Sequence, residues 1–300
     1  MYRRVFDTHC DTLYKWNQNN LDTEFSFADA SLYKRFIQVM AIWVDSETIK
    51  EPFQYAEHVI SLFKEHAPHI PIMKSVKDIS GKGTSVILGV EGGEAMEGSI
   101  EKLRMLFDLG VRLITLVWNW QNELCDCAMR PKPDGGGLTE FGRSAVAEME
   151  RLSMAVDVSH LSDKGFWDVI EISKKPIIAS HSCSRALHNA KRNLSDDQFK
   201  AIIYNGGVVG VNFSPDFLGG NEIEDVVKHI LHFAALGGEN HVGLGSDFDG
   251  LDSLPNGLER AAFIYKIADL MLRMNIKEEL VDKFMYGNME RYFQMVLPQK

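Results

Sequence analysis

Short, almost wholly apolar runs alternate with longer amphipathic stretches from one end of this chain to the other. No other feature restricts the fold as much. Eight runs have strand character: RVFDTHC, IQVMAIWV, TSVILGVEG, VRLITLVW, MAVDVSH, KPIIASHS, GGVVGVNF and HVGLGSDF. Between them, stretches such as SIEKLRMLFDLG, EFGRSAVAEMERLS and IEDVVKHILHFAALGG keep a helical period. Strands that are apolar on both faces must be covered on both faces, which calls for a parallel sheet flanked by helices. Eight such repeats predict a single (β/α)8 TIM barrel over residues 1–300. A doubly wound open sheet is the rival, but no GxGxxG follows the first strand to suggest a dinucleotide site.

Local signals agree with this frame. Ser195 and Gln198 have capping-box spacing at the start of a helix, and Gly110 and Gly237 fall where helices should end. The Gly/Pro-rich piece MRPKPDGGGLTEFG reads as a long loop after the fourth strand. No shift in composition marks a second domain. With 45% hydrophobic residues the chain can build a core of ordinary proportions. A formal net charge of −10 and the lack of a basic stripe argue against a nucleic-acid partner. Neither a secretory leader, a lipid-anchor signal nor an apolar run of about 18 residues is visible, so no membrane partner is expected. Cys10, Cys125, Cys127 and Cys183 are too few and too irregular for a disulfide framework and read as free thiols in the cytoplasm.

The ends of the strands carry the chemistry. His9 and Asp11, Glu91, His160, His181, Asp247 and Asp249 each follow a run that should be buried. Taken singly, Glu91 could cap a helix, Asp247 and Asp249 could form turns, and Asp157 and Ser159 could hydrogen-bond inside the barrel. As a set they fall where barrels of this kind place functional groups, and buried charges must pair or bind a cation. Imidazole mixed with carboxylate suits zinc or a similar ion rather than magnesium or calcium. Three histidines and two acids exceed the needs of one open tetrahedral ion and suit two, with Glu91 as the shared carboxylate. Two such ions, roughly 3.5–4 Å apart, hold a hydroxide between them and polarise a substrate carbonyl. Asp7, in alternation with His9 and Asp11, would orient or balance that centre, or pair with a lysine.

The motifs DTHCDTL, GVEGGEAM, DVSH, SHSCSRALHNAKRNLSDDQ and GLGSDFDG occur in the order and with the spacings of the membrane (renal) dipeptidase family. The chain resembles that family over essentially its whole length. The resemblance implies a zinc dipeptidase in which His9 and Asp11 hold one ion, His160 and His181 hold the second, and Glu91 bridges them. It further implies that Asp247 moves a proton from the bridging water to the leaving amine. Arg192 would pair with the substrate carboxylate, and D-residues would be tolerated at the second position. Such proteins often form homodimers. One departure stands out: Trp118 occupies the place of a family histidine after the fourth strand, so a donor on Trp118 or Asn119 is expected to replace it. The alternatives left open are a barrel amidase, lactonase or deaminase with another substrate, and a metal- or peptide-binding relative with weak catalysis.

Overall fold

The computed structural model describes residues 2–133 and 135–299. Eight parallel strands, β1 (Tyr2–Asp7), β2 (Tyr33–Trp43), β3 (Gly83–Glu91), β4 (Val111–Thr115), β5 (Ala155–Asp157), β6 (Ile178–Ala179), β7 (Val208–Val211) and β8 (Val242–Leu244), close into one barrel. Each strand pairs with its neighbours in sequence, and Asp7 opposite Leu244 closes the ring. This is the expected (β/α)8 architecture. All eight apolar runs became strands, because only a closed barrel under a coat of helices removes both faces of every strand from water.

Two apolar layers hold the barrel. One lies between strands and helices and includes Val5, Ile42, Val90, Phe199 and Phe233, all buried. The other fills the barrel floor, where Phe6, Ile37, Ile87, Leu113 and Ile178 meet the C-terminal helix Asn288–Val296. Phe6 and Phe293 stack there with ring centroids 5.1 Å apart. The floor is therefore sealed, and only the opposite end, where the strands finish, is open to ligands.

The local signals resolve as follows. Ser195 Oγ accepts from Gln198 N at 3.2 Å while Gln198 Oε1 accepts from Ser195 N at 2.8 Å, a reciprocal cap on the helix Asp196–Asn205. Gly110 ends the helix Ile100–Leu109 in the left-handed region, at φ 114°. Gly237 has φ 93° in the wide turn Ala234–Gly238 that follows the helix Ile223–Phe233. The loop after β4 has no regular structure up to the helix Glu140–Leu152, and Asp134 within it lies outside the described residues. The four cysteines are buried and unpaired.

Six of the strands are shorter than their apolar runs, whereas β2 is longer and β3 is equal in length. β1 stops at Asp7, so His9 and Asp11 lie beyond the ladder rather than on a regular strand face. Asp7 interacts electrostatically with His9, as a balancing role requires, but its hydrogen bonds run elsewhere. Its carboxylate accepts from Ser246 N at 2.7 Å and Ser246 Oγ at 2.5 Å, which ties β1 to the segment after β8.

Candidate metal centre

Glu91, the last residue of β3, stands at the centre of the open end and is buried. Its Oε1 lies 2.9 Å from His160 Nε2 and 3.3 Å from His181 Nε2. Its Oε2 lies 3.4 Å from His9 Nε2. That nitrogen is also 3.5 Å from Asp11 Oδ2 and 3.7 Å from Asp247 Oδ1. The closure of the ring thus brings together all six side chains that the sequence placed at strand ends for the metals and the proton. Three overlapping sets could each hold an ion: His9, Asp11 and Glu91; Glu91, His160 and His181; and His9, His181 and Asp247.

The hydrogen bonds around the rings decide where the protons are. Ser180 Oγ donates its one proton to Asp157 Oδ2 at 2.5 Å, so it must accept from His181 Nδ1 at 2.7 Å. Asn119 Oδ1, which can only accept, lies 2.9 Å from His160 Nδ1. Both rings are therefore protonated on Nδ1 and carry a lone pair on Nε2. Those two nitrogens lie 2.9 Å apart and face the same Glu91 oxygen. Three electron pairs with no proton among them repel unless a cation intervenes. On the other side of Glu91, the buried atoms His9 Nδ1, His9 Nε2 and Asp11 Oδ1 have no hydrogen-bond partner. The donor set fits two transition-metal ions sharing one carboxylate.

The electrostatics agree for His160 and His181, whereas at His9 they favour the protonated ring, whose proton an ion would displace. Burial lowers the pKa of His181 well below the usual imidazole range and brings that of His160 down to about 4, so both are neutral, as metal ligands must be. Burial also acts against charge on His9, but Glu91 and Asp11 outweigh it and hold that ring's pKa well above normal. Burial, with Glu91 and Asp247 nearby, pushes Asp11 up to about 7. Asp247 is raised by burial and by the charge of Glu91, while its Oδ2 accepts from Asn212 Nδ2 at 2.8 Å.

The centre forms the floor of a cavity of about 440 Å³. Arg192, only 5% exposed, lines it. Its Nη2 donates to the His181 carbonyl at 3.2 Å, and its Nε has no partner. Asp247 and Glu91 favour its charge, but among the described residues no carboxylate forms a direct ion pair with it, so its fork is available to an anionic ligand. Trp118 and Asn119 line the same cavity.

Sequence reasoning missed several contributors. Tyr14, Lys15 and Trp43 line the cavity but sit on a helix start and a strand end with no motif of their own. Asn212 is also new, as is the role of Ser180. Each follows an apolar run, so the strand-end rule applied to neutral polar residues would have found both. Asp157 does hydrogen-bond inside the barrel, accepting from Thr115 Oγ1, Ser159 N, Ser180 N and Ser180 Oγ.

Comparison with known proteins places this geometry. Residues 3–297 match the family described as membrane dipeptidase, peptidase family M19. An uncharacterized dipeptidase of Schizosaccharomyces pombe is 38% identical over 219 residues, which cover 70% of this chain and 52% of the relative. Dipeptidase tcpJ of Claviceps purpurea is 32% identical over 262 residues, 84% of this chain and 61% of that protein. The chain thus spans about half to three-fifths of the length of these relatives. Among solved structures, the dipeptidase AC, an M19 metallopeptidase, superposes with a TM-score of 0.87 at 27% identity and 99% coverage of both chains. A metallopeptidase of Rhodobacter sphaeroides, solved with a phosphinate mimic of the dipeptide L-Ala-D-Ala, gives 0.86 at 26% identity, covering 99% of this chain and 100% of that one. A closed barrel with imidazoles and carboxylates gathered at its open end, matched by that family from residue 3 to residue 297, leads to one assignment: this chain belongs to the membrane dipeptidase family of metallopeptidases.

Proposed function

We propose that the protein hydrolyses dipeptides with two zinc ions that share Glu91, His9 and Asp11 holding one and His160 and His181 the other. The observation that carries this reading is the meeting of the His160 and His181 lone pairs with one Glu91 oxygen, while His9 Nε2 faces the other and, with Asp11 Oδ1, makes no hydrogen bond. Bound there, the ions would supply a water acidified to near neutrality and a Lewis-acid field on the scissile carbonyl.

The protein's own groups do the rest. Arg192 binds the substrate carboxylate and so fixes which end of the dipeptide enters that side of the cavity. Asp247 is the proton carrier. Asn212 orients its Oδ2, and its raised pKa lets it take a proton and return it to the departing nitrogen. Trp118 and Asn119 each have an N–H at the position of the family's histidine, and one of them donates to the scissile group. Trp118→His should then change kcat/KM on dipeptides while leaving metal content intact. The L-Ala-D-Ala mimic held by the Rhodobacter sphaeroides protein supports a D-residue at the second position. The unpaired, buried cysteines support a reducing compartment such as the cytoplasm. Among the described residues no helix is long and apolar enough to cross a membrane.

The test is a panel of L,L and L,D dipeptides assayed with metal content measured on the same sample. Chelation should abolish hydrolysis, and zinc should restore it at two ions per chain. Full activity in metal-free protein would end this reading, as would retained activity in Glu91→Ala.

A further inference from the structure

Tyr14, Trp43 and Trp118 form a continuous aromatic arc on one side of the cavity. Trp43 meets Tyr14 edge to face at 4.9 Å and 83°, and meets Trp118 in the same way at 4.9 Å and 81°. The Trp118 ring lies 6.4 Å from that of His160, so the arc borders the metal centre directly. All three rings are only partly buried and line the cavity, so they present apolar surface to whatever fills it.

The topology of the barrel says which part of a dipeptide meets this arc. Tyr14 follows β1, Trp43 ends β2 and Trp118 follows β4, whereas Arg192 follows β6. In a closed ring of eight strands, β2 stands opposite β6, so Trp43, the middle of the arc, lies across the ring from the strand that leads to the guanidinium, with Tyr14 and Trp118 to either side. In a dipeptide the terminal carboxylate and the N-terminal side chain lie on opposite sides of the scissile carbonyl. With the carboxylate at Arg192 and the carbonyl over the centre, the N-terminal side chain points to the arc.

We infer that Tyr14, Trp43 and Trp118 form a specificity subsite that selects an aromatic or other flat apolar side chain on the N-terminal residue of the substrate. This rests on the dipeptidase reading and adds to it the class of preferred substrate. Rigid rings give a large contact area with little entropy to lose, and edge-to-face packing leaves ring surface for one more aromatic partner. The rest of the rim, after β7 and β8, is mixed: Ser214, Asp216, Asp252 and Ser253 alternate with Pro215, Phe217 and Leu251, and among the described lining residues Phe217 is the one aromatic ring there.

The experiment compares kcat/KM of the zinc-loaded protein for Phe-Ala, Ala-Ala and Ala-Phe, with the second residue in both chiralities. Phe-Ala should exceed Ala-Ala by about tenfold or more, and Ala-Phe should show no such gain. Trp43→Ala should lower the ratio of Phe-Ala to Ala-Ala toward one, and Trp43→Phe should keep most of it. Equal rates on Phe-Ala and Ala-Ala, a gain confined to Ala-Phe, or an unchanged ratio in Trp43→Ala would overturn the subsite and leave the dipeptidase reading standing. Hydrolysis of none of these dipeptides would overturn both.

Discussion

Ser180 passes the charge of Asp157 to His181 through a single hydroxyl, and that one atom decides which ring nitrogen faces the centre. Ser180→Ala should leave the fold intact but free the ring to change tautomer. Metal affinity should fall about 10–100-fold, as read by competition with a chelator. A second residue tests burial outside the candidate metal centre. Burial pushes Glu94 up to about 7, the charges of Glu123 and Asp45 add to this, and the bond from Asn122 Nδ2 at 3.1 Å only partly offsets it. A carboxyl whose pKa is raised on folding destabilises the fold when ionised, so its cost is absent below the unfolded value of 4.5 and grows as pH rises toward 7. Glu94→Gln should therefore stabilise the protein by up to about 3 kcal/mol at pH 8 and by almost nothing near pH 4. Urea unfolding at the two pH values checks this.

Among the elements, the segment after β8 is held by a cluster of hydrogen bonds. Asp247 and Asp249 adopt left-handed backbone, with φ of 65° and 68°, as does His160 at 69°. Asp249 accepts from Glu24 N at 2.7 Å and from Thr12 Oγ1 at 2.5 Å, and Glu24 Oε2 accepts in return from Asp249 N at 2.5 Å. These bonds offset the strain of the turn and hold Asp247 over the centre. Gly250 follows directly, where a Cβ would come within 2.2 Å of Asp11 Oδ2 and 2.9 Å of Asp247 Oδ1. Gly250→Ala should keep a barrel-like circular dichroism spectrum but lose roughly a hundredfold in kcat/KM, together with metal from the His9–Asp11 side. The existence and order of the strands were legible in the apolar runs, since burial on both faces leaves its mark residue by residue. Their lengths were not. KPIIASHS yields a ladder of only Ile178 and Ala179, because the polar residues that follow turn into the site instead of pairing.

For the molecule as a whole, the barrel floor is apolar and the open end is charged. Asp11, Glu91 and Asp247 are buried together with Arg192 as the one guanidinium beside them, an arrangement that loses stability without cations. Chelation should lower the Tm by several degrees and zinc should restore it, since ligand binding to the native state alone shifts unfolding. A Tm unchanged by chelation, in protein that measurably lost its ions, would contradict that coupling.

The alternation of apolar and amphipathic segments already dictated a helix-coated parallel barrel, and the polar residues closing its runs already pointed to its chemistry. Both are local properties, written in continuous apolar runs, in the helical period of 3.6 residues and in the polar residues that close the runs. Neither the proton positions on His160 and His181 nor the burial of Arg192 could be read that way. Nor could the tie from Asp7 to Ser246 or the aromatic arc across the ring from β6. Each depends on residues apart in the chain that meet only when the strands assemble side by side, and for Asp7 and Ser246 only when β1 closes on β8; no local pattern records those meetings.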